Sequence, residues 1–377
     1  MQDFTVQFPV RVRCGPGALD HLAAAIAGRP TVLIHHPNAG ASDALQRVER
    51  AAGPTRLASL THAEGLPTID LAVRLCAETW GAIDDWRDCA NDRQQRPLIV
   101  AYGGGSTIDL AKAACHRPHD GDGSKLARWI RGAAPAPDFD PIELIAIPTT
   151  AGTGSEVTGW ATLWDLHLDP NGRMRGIKRS LESSHAYPTL ALIDGAECAS
   201  CPAHVTRDSG LDALAHAIEA IWNRNATPVA DALAVSAATD ILDLLPRTLD
   251  APGSLSLRRA MSRSALMAGL AFSQTRTALA HALSYPLTAE QSVPHGLACA
   301  VWLPIAWELA EGRSTDRDRL LRSLFPGERL PAVALRKWLD RLGVPPPDAL
   351  VDPNEIDQRI SDALTHPRGR NFIGASL

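Results

Sequence analysis

The chain has no apolar run long enough to span a bilayer. Its first residues, MQDFTVQFPVRVRCG, alternate like a strand and lack the basic-then-apolar build of a secretory signal. No membrane partner is expected, and the expected compartment is the cytoplasm. A basic surplus is also missing: the net charge is -5 and the pI is near 6.2, so no cationic stripe is available to neutralise nucleic-acid phosphates. Seven cysteines, an odd number scattered over 377 residues, do not make a disulfide framework and read as reduced thiols. Cys198 and Cys201 form a C-x-x-C, but no second pair completes a zinc site, so both are read as free thiols near a domain junction. Internal repeats, low-complexity tracts and the G-x-G-x-x-G dinucleotide fingerprint are absent as well.

What remains is an ordinary globular composition, 45% apolar and 21% charged, in a chain long enough for two cores. TVLIHH (31–36), PLIVAY (97–102), ELIAIP (143–148) and LALID (190–194) read as buried strands, and residues 41–52 and 68–80 as helices between them. That alternation predicts βα units around a parallel sheet. Gly/Pro-rich stretches at 117–124 and 132–141 read as loops. Beyond about residue 200 strand-like runs give way to Ala/Leu-rich helical segments at 228–245, 257–272 and 330–343. The expected architecture is an α/β domain over 1–198 and an all-α domain over 199–377, joined near 195–205.

Two segments carry chemistry. In LIVAYGGGSTIDLAK three glycines follow a strand and precede a helix, where free N–H groups and the helix dipole favour a pyrophosphate. Ser106 and Asp109 have the S-x-x-D spacing of a capping box, which would fix the start of that helix. IPTTAGTGSEVT (147–158) follows another strand with hydroxyls suited to line the cofactor's other side. In the second half, Asp212 and His216 stand four apart on a helical stretch, so both leave one face. With His281 and His295 they make three imidazoles and a carboxylate, a set that suits Fe(II) or Zn(II) better than magnesium or calcium.

GGGSTIDLAK, PTTAGTGSEVT, GLDALAHAIEA, the His281 segment and Pro294–His295–Gly296 together resemble the iron-dependent, or group III, alcohol dehydrogenases, in that family's order and across most of the chain. The resemblance implies the dehydroquinate synthase-like fold, with the active site in the cleft between its two parts. It implies that Asp212, His216, His281 and His295 ligate the metal. Gly104, Gly105, Ser106, Asp109, Thr149, Thr150 and Thr153 would contact NAD(P)H, with Lys178 near the nucleotide. The strings EAIWNRNATP and TRTALAHALSYPLTAE are similar to phosphonoacetaldehyde reductases, which implies reduction of phosphonoacetaldehyde to 2-hydroxyethylphosphonate.

The sequence departs from the family in two places. Where many members carry a second histidine four residues after the third ligand, this chain has Tyr285, a candidate proton donor alongside a bound water or the cofactor ribose. The stretch after the first strand reads HHPNAG, without the carboxylate that repels a 2'-phosphate, so NADP and NAD both stay open. Arg276, five residues before His281, and Arg224, after the metal-clip helix, are the candidates to hold an anionic substrate tail. Each charge-assisted hydrogen bond would contribute about 1.5–3 kcal/mol. The expected partners are a small anionic aldehyde and, in a homodimer, a second copy of the chain. The alternatives are a dehydrogenase for small neutral alcohols and a metal-dependent hydrolase or lyase on the same fold, which would not bind a dinucleotide.

Overall fold

The computed structural model describes residues 3–37, 43–90, 95–172 and 174–375. Residues 41–42 of the first expected helix, and Asn38, Ala39 and Gly40 of the HHPNAG stretch, lie outside the described residues. The strands are β1 (Arg11–Cys14), β2 (Thr31–His35), β3 (Arg56–Thr61), β4 (Leu98–Gly103), β5 (Glu143–Pro148), β6 (Trp160–Leu168), β7 (Met174–Glu182) and β8 (Leu190–Ile193). Six of them form a parallel sheet in the order β1-β8-β5-β4-β2-β3, and β6 and β7 form a separate antiparallel pair. α1 (Leu22–Ile26), α2 (Asp43–Ala52), α3 (Ile69–Cys89), α4 (Gly105–Ala114) and α5 (Gly123–Ile130) connect the early strands.

The inner strands read as unbroken apolar runs because both their faces are covered. Val32, Ile34, Ile99, Ala101, Leu144 and Ala146 pack with α3, α4 and α5 on one face. The alternate residues Leu33, Leu98, Val100, Ile145 and Ile147 pack with α1 and α2 on the other. The four expected strands are found with ends within a residue or so of those anticipated. The edge strand β3, RLASLT, is half solvated and gives no apolar run, and β1 keeps only Arg11–Cys14 of the alternating N-terminal stretch. The β6–β7 hairpin, rich in Lys, Arg and Asp, likewise gave no strand signal.

Beyond Ile193 no strand occurs among the described residues. The helices there are α6 (Ala203–Ile221), α7 (Pro228–Asp250), α8 (Leu255–Thr275), α9 (Leu279–Gln291), α10 (His295–Ala310), α11 (Thr315–Arg322), α12 (Pro331–Arg341) and α13 (Ile356–Thr365). None of them is long and apolar enough to cross a membrane. α6 is the hub. Residues 210–221 are buried on every side, and α7, α8 and α10 pack around them, as an all-round apolar helix requires.

The sheet and the helices meet at Gly154, whose φ of +62° lies in the left-handed region. A Cβ there would stand 2.7 Å from Gly269 Cα and 2.8 Å from Phe272 Cε1 on α8. The hairpin reaches across separately, Gly176 of β7 lying against Ala289 of α9. Replacement of Gly154 by Ala combines a strained φ with overpacking. Chemical denaturation should therefore show a loss of at least about 2 kcal/mol.

Candidate metal and cofactor site

A cleft of about 640 Å³ runs between the Gly-rich loop and the helices and contains most of the residues the sequence singled out. At its helical end, α6 presents Asp212, His216 and Glu219 on one face, at i, i+4 and i+7. The Nε2 atoms of His281, His216 and His295 stand 3.5, 3.8 and 4.0 Å from the same Asp212 Oδ1. Donor atoms on one ion at about 2.1 Å, tetrahedrally disposed, are roughly 3.4 Å apart, and each imidazole lies near that distance from Asp212 Oδ1; the group whose donor atoms all lie within 4.8 Å of one another holds Asp212, His281, His295 and Cys299, with His216 outside it. Asp212 Oδ1 and His281 Nε2 are buried and have no hydrogen-bond partner, the condition of donors awaiting a metal. All three expected imidazoles thus face Asp212 Oδ1, His281 and His295 within the closer group and His216 at its edge.

The supporting residues explain why they converge. Glu219, wholly buried, accepts Nδ1–H of His281 at 2.6 Å and the backbone N–H groups of Ala278 (2.8 Å), Ala280 (2.5 Å) and His281 (3.3 Å). It thereby fixes the ring's tautomer and leaves Nε2 facing Asp212. The His216 ring is stacked on Phe272 with centroids 3.9 Å apart. His295 is the first residue of α10. Gly296 after it allows the approach, because a Cβ there would meet Asp208 O at 1.8 Å and Asp212 Cβ at 2.9 Å. Cys299, one turn further along α10, joins Asp212, His281 and His295 in a group whose donor atoms lie within 4.8 Å of one another.

Charge follows from the packing. Burial pushes the Asp212 carboxyl up, and His216, His281 and His295 together outweigh it, holding it well below the usual carboxylate range. Burial pushes His216 down to about 4, and burial with the Lys178 ammonium pushes His295 well down. Both rings are neutral at neutral pH, as ligation requires. For His281 burial works against the charged ring, but Cys299, Glu219 and Asp212 outweigh it and push it well up.

The sheet end of the cleft is made by the start of α4. Its N-cap is Gly104, with no side-chain cap, so the expected capping box does not form: Ser106 lies inside the first turn. The Asp109 carboxylate instead accepts from Ser155 Oγ at 2.5 Å and from the Thr162 N–H at 2.8 Å, tying α4 to β6. Asp109 still lines the cleft, as do Gly104, Gly105, Ser106, Thr150 and Thr153. Thr149 does not; it is buried behind the wall, with its N–H donated to Gly103 O. A Cβ on Gly105 would stand 2.5 Å from Thr153 Cγ2, so this glycine is needed for the approach of the two cofactor segments to each other. The uncapped N–H groups it leaves at the cleft suit a pyrophosphate.

Lys178, expected near the nucleotide, lies on β7 with Nζ 2.9 Å from His295 Nε2 and 4.8 Å from the centroid of the Tyr285 ring. Tyr285 lines the cleft, edge-on to His366. The two arginines proposed for an anionic tail are corrected. Arg276 grips Glu182 through both guanidinium nitrogens, at 2.6 and 2.8 Å, and does not line the cleft. Arg224 donates to Phe372 O at 2.9 Å and to Ala375 O, securing the C-terminal segment. Among the described residues, the arginine that does line the cleft is Arg368, which no spacing in the sequence marked. Glu219 and Cys299 did carry a signal, at helical offsets of seven and four from Asp212 and His295.

A family model described as iron-containing alcohol dehydrogenase matches residues 9–195, and one described as Fe-containing alcohol dehydrogenase family, C-terminal, matches 206–330. The chain is 33% identical over 348 residues to the probable alcohol dehydrogenase EutG of Escherichia coli, covering 90% of this chain and 82% of that protein. It is 31% identical over 290 residues to a phosphonoacetaldehyde reductase of Streptomyces viridochromogenes, covering 72% and 71%. Among solved structures, a sulfoacetaldehyde reductase from Bifidobacterium kashiwanohense in complex with NAD+ superposes with a TM-score of 0.81 at 26% identity, over 99% of this chain and 95% of that one. An iron-containing alcohol dehydrogenase from Thermotoga maritima gives 0.75 at 27%, over 100% and 96%.

Glu219→Gln removes the charge that orients His281. Competition against a chelator should show divalent-metal affinity falling about 10–100-fold, with circular dichroism unchanged.

Proposed function

Because this chain belongs to the iron-containing alcohol dehydrogenase family, we propose that it reduces a small aldehyde with an anionic tail to the primary alcohol, phosphonoacetaldehyde to 2-hydroxyethylphosphonate being the favoured case. The observation that carries the reading is the convergence of three imidazoles on Asp212 in the cleft that also exposes the uncapped start of α4. When bound, an Fe(II) or Zn(II) ion supplies a Lewis acid for the carbonyl oxygen and reduced nicotinamide supplies the hydride.

The chain's own residues do the rest. Asp212, His216, His281 and His295 hold the ion, and Glu219 keeps His281 in the ligating tautomer. The N–H groups at the start of α4 take the pyrophosphate, flanked by Thr150 and Thr153. Trp164 and Phe272 give the cleft apolar walls that exclude water from the reacting carbonyl. Tyr285 donates the proton that completes the alcohol. An anionic tail is supported by the ammonium of Lys178 and the guanidinium of Arg368 on the cleft wall, and by the resemblance to a phosphonoacetaldehyde reductase.

With metal-reconstituted protein, NADH and NADPH oxidation should be at least about tenfold more efficient with phosphonoacetaldehyde than with propanal; equal efficiency would remove the anionic tail from the reading. Tyr285→Phe should lower kcat about 100-fold without changing the metal content. An unaltered kcat would transfer proton delivery to water or the cofactor ribose.

A further inference from the structure

Side chains alternate along β7, so Lys178, Ser180 and Glu182 share one face of the hairpin, and Lys178 and Ser180 line the cleft. Arg368 comes to the same wall from the turn after α13, its side chain only 16% exposed. A guanidinium carries five donors, yet its partners among the described residues are few. Nη2 donates to Ser180 Oγ at 3.1 Å and stands 3.6 Å from Glu182 Oε1. Glu182 is the carboxylate that would neutralise Arg368, but Arg276 occupies both its oxygens in a bidentate pair. Two guanidinium groups thus share one carboxylate, and the surplus positive charge stays with Arg368, at the cleft. The side chain is partly buried, so its remaining N–H groups are open to the cleft, where an anionic ligand group can take them up.

We infer that Arg368, with Ser180 beside it, is the subsite that takes the phosphonate or sulfonate tail of the aldehyde, and that Arg276 and Arg224 are its positioning residues. The inference rests on the reading of the chain as a reductase of small anionic aldehydes. Arg276 acts through Glu182: by holding that carboxylate it keeps Arg368 from being neutralised internally. Its own place is firmly set. The backbone has φ of +66° and ψ of 175°, a conformation that favours glycine, and its carbonyl accepts from Asn223 Nδ2 and Thr275 Oγ1, each at 3.0 Å. The guanidinium also lies over the Trp160 ring at 5.3 Å. Arg224 acts through the backbone, holding Asn371, Phe372 and Ala375 just after Arg368. Both arginines that sequence reasoning assigned to the substrate act one step behind the residue that meets it.

The test is steady-state kinetics of the metal-loaded enzyme with phosphonoacetaldehyde, sulfoacetaldehyde and propanal, with methylphosphonate as a dead-end inhibitor. Arg368→Gln should raise KM for the anionic aldehydes and Ki for methylphosphonate about 10–100-fold, leave kcat/KM for propanal within about threefold, and be partly rescued by Arg368→Lys. Arg276→Gln should raise the same KM and Ki about 5–10-fold, because Glu182 then turns to Arg368; adding Glu182→Gln should restore both. The relative efficiency on phosphonoacetaldehyde and sulfoacetaldehyde identifies which oxyanion the subsite takes. If the wild type does not prefer anionic aldehydes, the substrate reading itself fails. If it does prefer them but Arg368→Gln affects propanal equally, or affects neither substrate, the reading stands and the assignment of Arg368 is overturned.

Discussion

The fully buried carboxylate of Glu219 is the constraint on which the site depends. It sits at the end of the Asp212–His216 face of α6, and four donors from the α8–α9 junction and the start of α9 converge on it. A charge removed from water persists only when its lone pairs are satisfied, and here the N–H groups that satisfy them are those left unpaired at a helix N-terminus. One interaction therefore neutralises a buried charge, starts α9 and aims His281 at Asp212. The strained backbone of Arg276, two residues before this clamp, is tolerated because Asn223, Thr275 and the clamp over-determine its path.

The rest of the cleft is assembled around that fixed point. Gly296 lets α10 bring His295 against α6, Phe272 sets the plane of His216, and Gly154 lets α8 meet the loop that follows β5. The β6–β7 hairpin reaches from the sheet half to α9 and the start of α10, as the loop after β5 reaches α6 at Gly152. It carries Lys178 to His295, and Ser180 and Glu182 to Arg368. The proposed cofactor loop, metal donors and cationic wall thus come from separate segments, and their mutual distances are set by glycine contacts and two carboxylates, buried Glu219 and cleft-lining Asp109.

The readings that succeeded and those that failed differ in the range over which they act. Asp212 with His216, the doubly buried strands and the Gly-rich turn are local patterns: helix and strand geometry convert their spacing directly into position. The capping box failed because Asp109 found Ser155 and Thr162, far away in the chain, better placed than its own helix start. Arg276 failed because Glu182, 94 residues earlier, faces it across the hairpin end.

The sequence by itself therefore determined the α/β and helical halves, the family, and the Asp212–His216 and Gly-rich segments proposed for metal and dinucleotide, because each follows from short periodic or contiguous patterns. Only the tertiary structure decided which arginine faces the cleft, which backbone and ring N–H groups Glu219 meets, and that Lys178 stands beside His295. Those choices are competitions among charges distant in the chain, and the outcome depends on distances that exist only once the helices and the hairpin have packed.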